Sequence, residues 1–204
     1  EDMVRATGAV ARGARSALIV ADMPFMSYQV DARTALRNAG RLIQEGGAQA
    51  VKLEGGKPVA GTIRRLVDAG IAVMGHIGLQ PQYIHESGGY TLKGQSDNEQ
   101  QYLLDLALAL CDIGVFAVVL EKVPIHVSKT ITQTIQCPTI GIGAGPYCSG
   151  QVLVTNDLLG LTPNFKPKFI KQYLDGAHQI SRAIQAFQQE VTTGEFPTES
   201  HGYH

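Results

Sequence analysis

The stretch Ala48-Gln49-Ala50-Val51-Lys52-Leu53-Glu54-Gly55-Gly56 decides the fold class. It reads as a short apolar strand running into a glycine turn, with two charged groups near its end. Residues i and i+2 of a strand point to the same side, so Lys52 and Glu54 project together. A strand buried on both faces is a nearly continuous apolar run. A cation and an anion at its carboxyl end therefore cost desolvation unless they pair or bind something. Taken alone, the stretch allows a structural Lys–Glu pair as readily as a functional site. The rest of the chain decides between them.

The same event recurs outward from this strand. Residues 17–21 form an apolar run ending in Asp22, residues 71–75 one ending in His76, and residues 115–120 one ending in Glu121-Lys122. Residues 139–143 lead into Ala144-Gly145-Pro146, and residues 151–155 into Asn156-Asp157. Helical patterns separate these runs. Residues 1–12 are a helix ended by Gly13. Asp31 caps a helix with apolar positions 32, 35, 36, 39, 42 and 43, closed by Gly46-Gly47. Pro58 suits the first turn of a helix reaching Gly70. Ser96 and Glu99 form a capping box for a helix through Cys111. Further helices are expected over about 125–135 and 167–191, with a polar, extended tail over 192–204. Alternating strands and helices specify a parallel sheet with right-handed crossovers. No repeat, low-complexity tract or linker divides the chain, so residues 1–204 are expected to form a single α/β domain.

Composition narrows the function classes. The 204 residues carry 17 Lys and Arg against 18 Asp and Glu, without basic runs, which gives no electrostatic footprint for nucleic acid. No apolar stretch approaches the roughly 20 residues that span a bilayer, and no secretory segment opens the sequence. Cys111, Cys137 and Cys148 are odd in number and form no C-x-x-C pair, so neither a disulfide framework nor a zinc knuckle is expected. A reducing cytoplasm is the expected location.

Asp22, Lys52, Glu54, His76 and Glu121 thus all fall at the carboxyl ends of predicted strands. In parallel α/β folds, and above all in β/α barrels, that rim is where active sites are built. Asp22 and Glu54 offer hard oxygen ligands to a magnesium-type ion that keeps some waters. Without an ion they would repel, and one would take up a proton. Glu121 follows a six-residue apolar run, where desolvation raises a carboxyl pKa and makes a general base. A lone His after a strand holds a loop by hydrogen bonds as readily as it reacts, and His76 is read as a residue that supports the site from behind its ligands. The long polar loop over 80–95 is a candidate binding loop. Gly141-Ile142-Gly143-Ala144-Gly145 is not a dinucleotide fingerprint, because Pro146 and Cys148 stand where glycines are needed. That turn either approaches a ligand or simply reverses tightly. His85-Glu86, His201 and His204 lack metal-ligand spacing.

The blocks Ala21-Asp22-Met23-Pro24-Phe25, Val51-Lys52-Leu53-Glu54-Gly55-Gly56, Gly75-His76-Ile77-Gly78-Leu79-Gln80-Pro81-Gln82, Gly88-Gly89-Tyr90, Val119-Leu120-Glu121-Lys122-Val123-Pro124 and Ile140-Gly141-Ile142-Gly143-Ala144-Gly145 follow one another along the chain. Together they resemble the ketopantoate hydroxymethyltransferase family. The likeness continues to Pro167-Lys168-Phe169. It implies a β/α (TIM) barrel of the phosphoenolpyruvate–pyruvate type, with six of its eight strands in this sequence. It also implies transfer of a hydroxymethyl group from 5,10-methylenetetrahydrofolate to 3-methyl-2-oxobutanoate, giving 2-dehydropantoate in pantothenate biosynthesis. By residue match, Asp22 and Glu54 are Mg2+-site acids, Asp22 and Lys52 bind substrate, and Glu121 is the proton acceptor. A homo-oligomer is implied as well. The family carries about two further strands and a Gly-Asp-Ser turn ahead of Glu1, so the polypeptide is expected to continue N-terminally. Two other readings stand beside this one. One is a metal-dependent lyase or aldolase acting on an oxo acid without folate; the other is a truncated, non-catalytic binding or assembly subunit.

Overall fold

The apolar runs of the sequence become six strands of one sheet in a computed structural model that describes residues 1–85, 89 and 91–203. They are β1 (Val20–Asp22), β2 (Ala50–Glu54), β3 (Val73–Gly78), β4 (Ala117–Glu121), β5 (Thr139–Ile142) and β6 (Gly150–Gln151). The sheet order is the chain order and every pairing is parallel, the winding of a β/α barrel. Helices α1 (Asp2–Gly13), α2 (Ala32–Gln44), α3 (Ala60–Asp68), α4 (Asp97–Ile113) and α5 (Ile125–Thr134) precede or connect the first five strands. Two helix starts fall where the capping residues place them. The Asp31 side chain accepts from the Thr34 N–H, and Ser96 and Glu99 close a reciprocal capping box. Gly114, in the left-handed region at φ 101, ends α4.

Strand alternation sorts the residues into two faces. Val51, Leu53, Val73, Ile77, Val118 and Leu120 point at the helices and form the core with Ala35, Ala39, Leu42, Ile63, Leu66 and Leu110. Gly75 lies on the same face because a β-carbon there would come within 2.9 Å of a Leu110 methyl. The intervening residues project to the opposite face. That set contains Asp22, Lys52, Glu54, His76 and Glu121, so all five charged or titratable residues of the strand ends share one side of the sheet.

The chain divides into two compact units, Glu1–Val152 and Leu153–His204. The first holds the whole sheet. The second contains α6 (Thr155–Leu158) and α7 (Gly176–Thr193). Between these helices, backbone bonds from Tyr173 to Leu158 and from Gly176 to Leu159 double the chain back. Three local expectations need correction. The strand expected over 151–155 is only two residues long, because α6 already begins at Thr155. The helix expected from residue 167 begins at Gly176; Pro163 and Pro167 interrupt its approach, since proline lacks the N–H a helix uses. In the tail, α7 runs on to Thr193 and a short 3-10 turn forms at Glu199–His201.

A disulfide joins Cys111 to Cys137, with 6.1 Å between their α-carbons, where the odd cysteine count led to no disulfide framework being expected. The end of α4 packs beside the turn leading into β5, and that contact brings together two residues 26 apart. Among the described residues, no helix is long and apolar enough to cross a membrane.

Candidate active site

The register of the sheet builds a cluster from single residues. Asp22 lies opposite Lys52, Glu54 opposite His76, and Gly78 opposite Glu121. Because these residues share a face, their side chains converge. The Lys52 Nζ is 2.8 Å from Asp22 Oδ1, 4.0 Å from Glu54 Oε1 and 3.3 Å from His76 Nδ1. The His76 ring lies between two carboxylates, its Nδ1 3.5 Å from Glu54 Oε1 and its Nε2 3.2 Å from Glu121 Oε2. Glu54 is 2% exposed and His76 3%, so these charges interact in a medium of low polarity. Burial disfavours the imidazolium, but hydrogen bonding to Glu121 and Glu54 outweighs it and holds the His76 pKa above its ordinary value.

All five residues expected from the sequence therefore meet in one place. His76 differs in position from the expectation. It lies inside β3, not after the strand, and it is the side chain that links the Glu54 end of the cluster to Glu121. Two further side chains escaped the sequence reading. Tyr28 is fully buried; its phenol oxygen accepts from the Glu54 N–H at 3.1 Å and lies 3.0 Å from the Glu54 carbonyl oxygen. Burial pushes the Tyr28 phenol far above its usual pKa, so it keeps its proton. Gln82 donates its backbone N–H to Glu54 Oε2 at 2.8 Å. Gln82 stands at the end of the Gln80-Pro81-Gln82 block, but only the folded loop gives it a partner.

The donor set suits a hard cation. Three carboxyl groups, Asp22, Glu54 and Glu121, gather around Lys52 and His76. Asp22 Oδ1 is buried and, although close to Lys52, receives no aligned hydrogen bond. Such an oxygen is a ready ligand. Among the described residues, no group of three or more His, Cys, Asp or Glu side chains is arranged to hold an ion alone. Asp22 and Glu54 could supply two oxygen ligands to an ion that also takes water and substrate oxygens, as Mg2+ does.

A cavity of about 520 Å³ lies beside the cluster, lined by Gly55, Gly56, Gly78, Gln80, Tyr83 and Leu106 among others. None of the five charged residues lines it. The turn at 143–145 packs against α5: the Ser128 hydroxyl donates to the Ala144 carbonyl, and a β-carbon on Gly145 would meet Ile125. Part of the loop expected over 80–95, and part of the Gly88-Gly89-Tyr90 block, lies outside the described residues.

Sequence comparison agrees with this geometry. The model of the ketopantoate hydroxymethyltransferase family matches residues 1–199. The chain belongs to the ketopantoate hydroxymethyltransferase family. It is 54% identical over 203 residues to the 3-methyl-2-oxobutanoate hydroxymethyltransferase of Geobacter sulfurreducens, covering all of this chain and 76% of that protein. It is 52% identical to the enzyme of the same name from Carboxydothermus hydrogenoformans, covering 74% of it. Membership makes the chain part of an enzyme family of hydroxymethyl transfer. Among solved structures, phosphonopyruvate hydrolase is similar with a TM-score of 0.52 at 12% identity, over 98% of this chain and 70% of that one. The same enzyme in complex with oxalate and Mg++ gives 0.50 at 13% identity, with the same coverage. These two likenesses are of fold, and they agree with a parallel β/α barrel architecture.

Proposed function

We propose that this chain carries out hydroxymethyl transfer to 3-methyl-2-oxobutanoate with Glu121 as the base, Lys52 and Asp22 as substrate contacts, and Asp22 and Glu54 as the Mg2+ acids. The observation that carries the reading is the convergence of all five residues on one face of the sheet, within 2.8–4.0 Å of one another along the cluster. Mg2+ held there supplies Lewis-acid polarisation of the oxo acid. That a hydrolase of similar fold was solved in complex with oxalate and Mg++ supports the reading.

The remaining chemistry falls to the protein's own side chains. Glu121 takes the proton from C3 of the oxo acid, and its two electrons delocalise into the enolate. The Lys52 ammonium faces the cluster and stabilises the charge that develops on the enolate oxygen. His76, with its Nε2 3.2 Å from Glu121 and its Nδ1 3.5 Å from Glu54, orients the base. The enolate carbon then forms a bond to the one-carbon unit of 5,10-methylenetetrahydrofolate. The carbon–nitrogen bonds to the folate break, water supplies the hydroxyl, and tetrahydrofolate leaves. On this reading the protein acts in pantothenate biosynthesis, with the cytoplasm as its proposed location.

Proton NMR in D2O tests the reading. With Mg2+ and 3-methyl-2-oxobutanoate but no folate, the C3 proton signal should decay, and adding the folate donor should give 2-dehydropantoate. Exchange without product would point to an oxo-acid lyase or aldolase. Neither exchange nor Mg2+ binding would point to a non-catalytic subunit.

A further inference from the structure

Resting on the reading of Glu54 as a cation ligand, we propose that Tyr28 and Gln82 are positioning residues. They form a latch between the β1–α2 and β3–α4 loops that commits one Glu54 oxygen to the protein and presents the other to the ion.

The need for a latch follows from the sheet. β1 ends at Asp22, opposite Lys52, so the last two residues of β2 have no strand beside them on that side. The Met23 N–H still reaches the Lys52 carbonyl at 3.0 Å. Beyond it the ladder is open, and buried backbone groups need partners. Side chains supply them. The Tyr28 hydroxyl accepts from the Glu54 N–H, as a strand carbonyl would, and Gln82 Nε2 donates to the Met23 carbonyl at 2.8 Å. The two side chains meet, since the Tyr28 hydroxyl is 2.9 Å from Gln82 Oε1. Its single proton serves either that oxygen or the Glu54 carbonyl. An edge contact between the Phe25 and Tyr83 rings, with centroids 6.4 Å apart, joins the same two loops independently.

The consequence falls on one carboxylate. Gln82 donates its main-chain N–H to Glu54 Oε2, and that N–H is placed by the amide tether of its own side chain. Glu54 Oε1 is left toward Lys52 and His76. A carboxylate held in this way has no rotamer freedom to lose on binding a cation, and outer contacts of this kind tune ion affinity by about 10–100-fold. Neither Tyr28 nor Gln82 need touch substrate for this.

The test is titration of the whole chain with Mn2+ alone, following free Mn2+ by electron paramagnetic resonance, with thermal melts of the same samples. Tyr28→Phe keeps the buried ring and removes the oxygen; Gln82→Met keeps the length and removes the tether. Each should weaken Mn2+ binding about tenfold. The double variant should be about as weak as the worse single one, because both act through one network. Should Tyr28→Phe fail to fold, Gln82→Met, at a half-buried position, carries the test. A lowered melting temperature with unchanged Mn2+ affinity in the folded variants would make the latch merely structural and overturn the proposal. Glu54→Gln separates the underlying reading. If it loses affinity while both latch variants keep theirs, the proposal alone is wrong. If Glu54→Gln binds Mn2+ as the parent does, the cation role of Glu54 fails, and the latch fails with it.

Discussion

At the scale of single residues, the site is a buried exchange of charges in which each group is defined by its neighbour. Among the described residues Glu121 meets the cluster at His76, which leaves its carboxylate outside the Asp22–Lys52–Glu54 group. Glu121→Gln should therefore lower C3 deuterium exchange by about 10²–10⁴-fold, the usual contribution of a general base, and leave Mg2+ affinity nearly unchanged. Exchange at the parent rate would remove Glu121 from the role. The acids should behave in the opposite way. Asp22→Asn or Glu54→Gln takes a charge from the hard-cation site, so calorimetric Mg2+ affinity should fall by about tenfold or more, with oxo-acid affinity falling beside it. Loss of oxo-acid binding with intact Mg2+ binding would assign those residues to the substrate alone.

At the scale of elements, the carboxyl end of β3 shows how tightly the site is tied to the strands. Gly78 sits at φ +94, and a β-carbon there would overlap the Glu121 carbonyl oxygen and come within 2.7 Å of Val123. The same turn passes the Leu79 N–H to that carbonyl at 2.8 Å. Gly78→Ala must therefore strain the backbone or push β4 away, at a cost of about 1–3 kcal/mol. Urea unfolding should show this loss, and deuterium exchange should fall as well because Glu121 moves. A variant of parent stability and parent exchange rate would show that the turn relaxes without disturbing β4.

At the scale of the whole molecule, the disulfide is the long-range covalent tie of the first unit. Closing a loop of 26 residues restricts the unfolded chain, and the entropy model gives about 3.5 kcal/mol for such a loop. Denaturant midpoints measured with and without a thiol reductant should differ accordingly. Cys111→Ser should reproduce the reduced midpoint, and Cys148→Ser, which removes only the unpaired thiol, should leave the reductant effect in place. A midpoint insensitive to reductant would mean the cross-link adds nothing to stability.

The same scales separate what the chain states locally from what folding decides. The apolar runs ending in Asp22, Glu54 and Glu121, the i, i+2 spacing of Lys52 and Glu54, and the caps at Asp31 and Ser96 act through neighbours a few residues away, so the sequence alone determined the strands, their parallel winding and the rim of charges. The short β6 and the late start of α7 were less legible, because apolar content does not reveal where a helix or a proline-broken segment takes over. Central placement of His76 required the register of β3 against β2 and β4. The Cys111–Cys137 bond required α4 to pack beside the turn before β5. Tyr28 reaches Glu54 across 26 residues and Gln82 across 54, and no local pattern encodes contacts at such separations. Only the tertiary structure supplied them, because they exist only after the entropy of closing those loops has been met by the burial of the strands between.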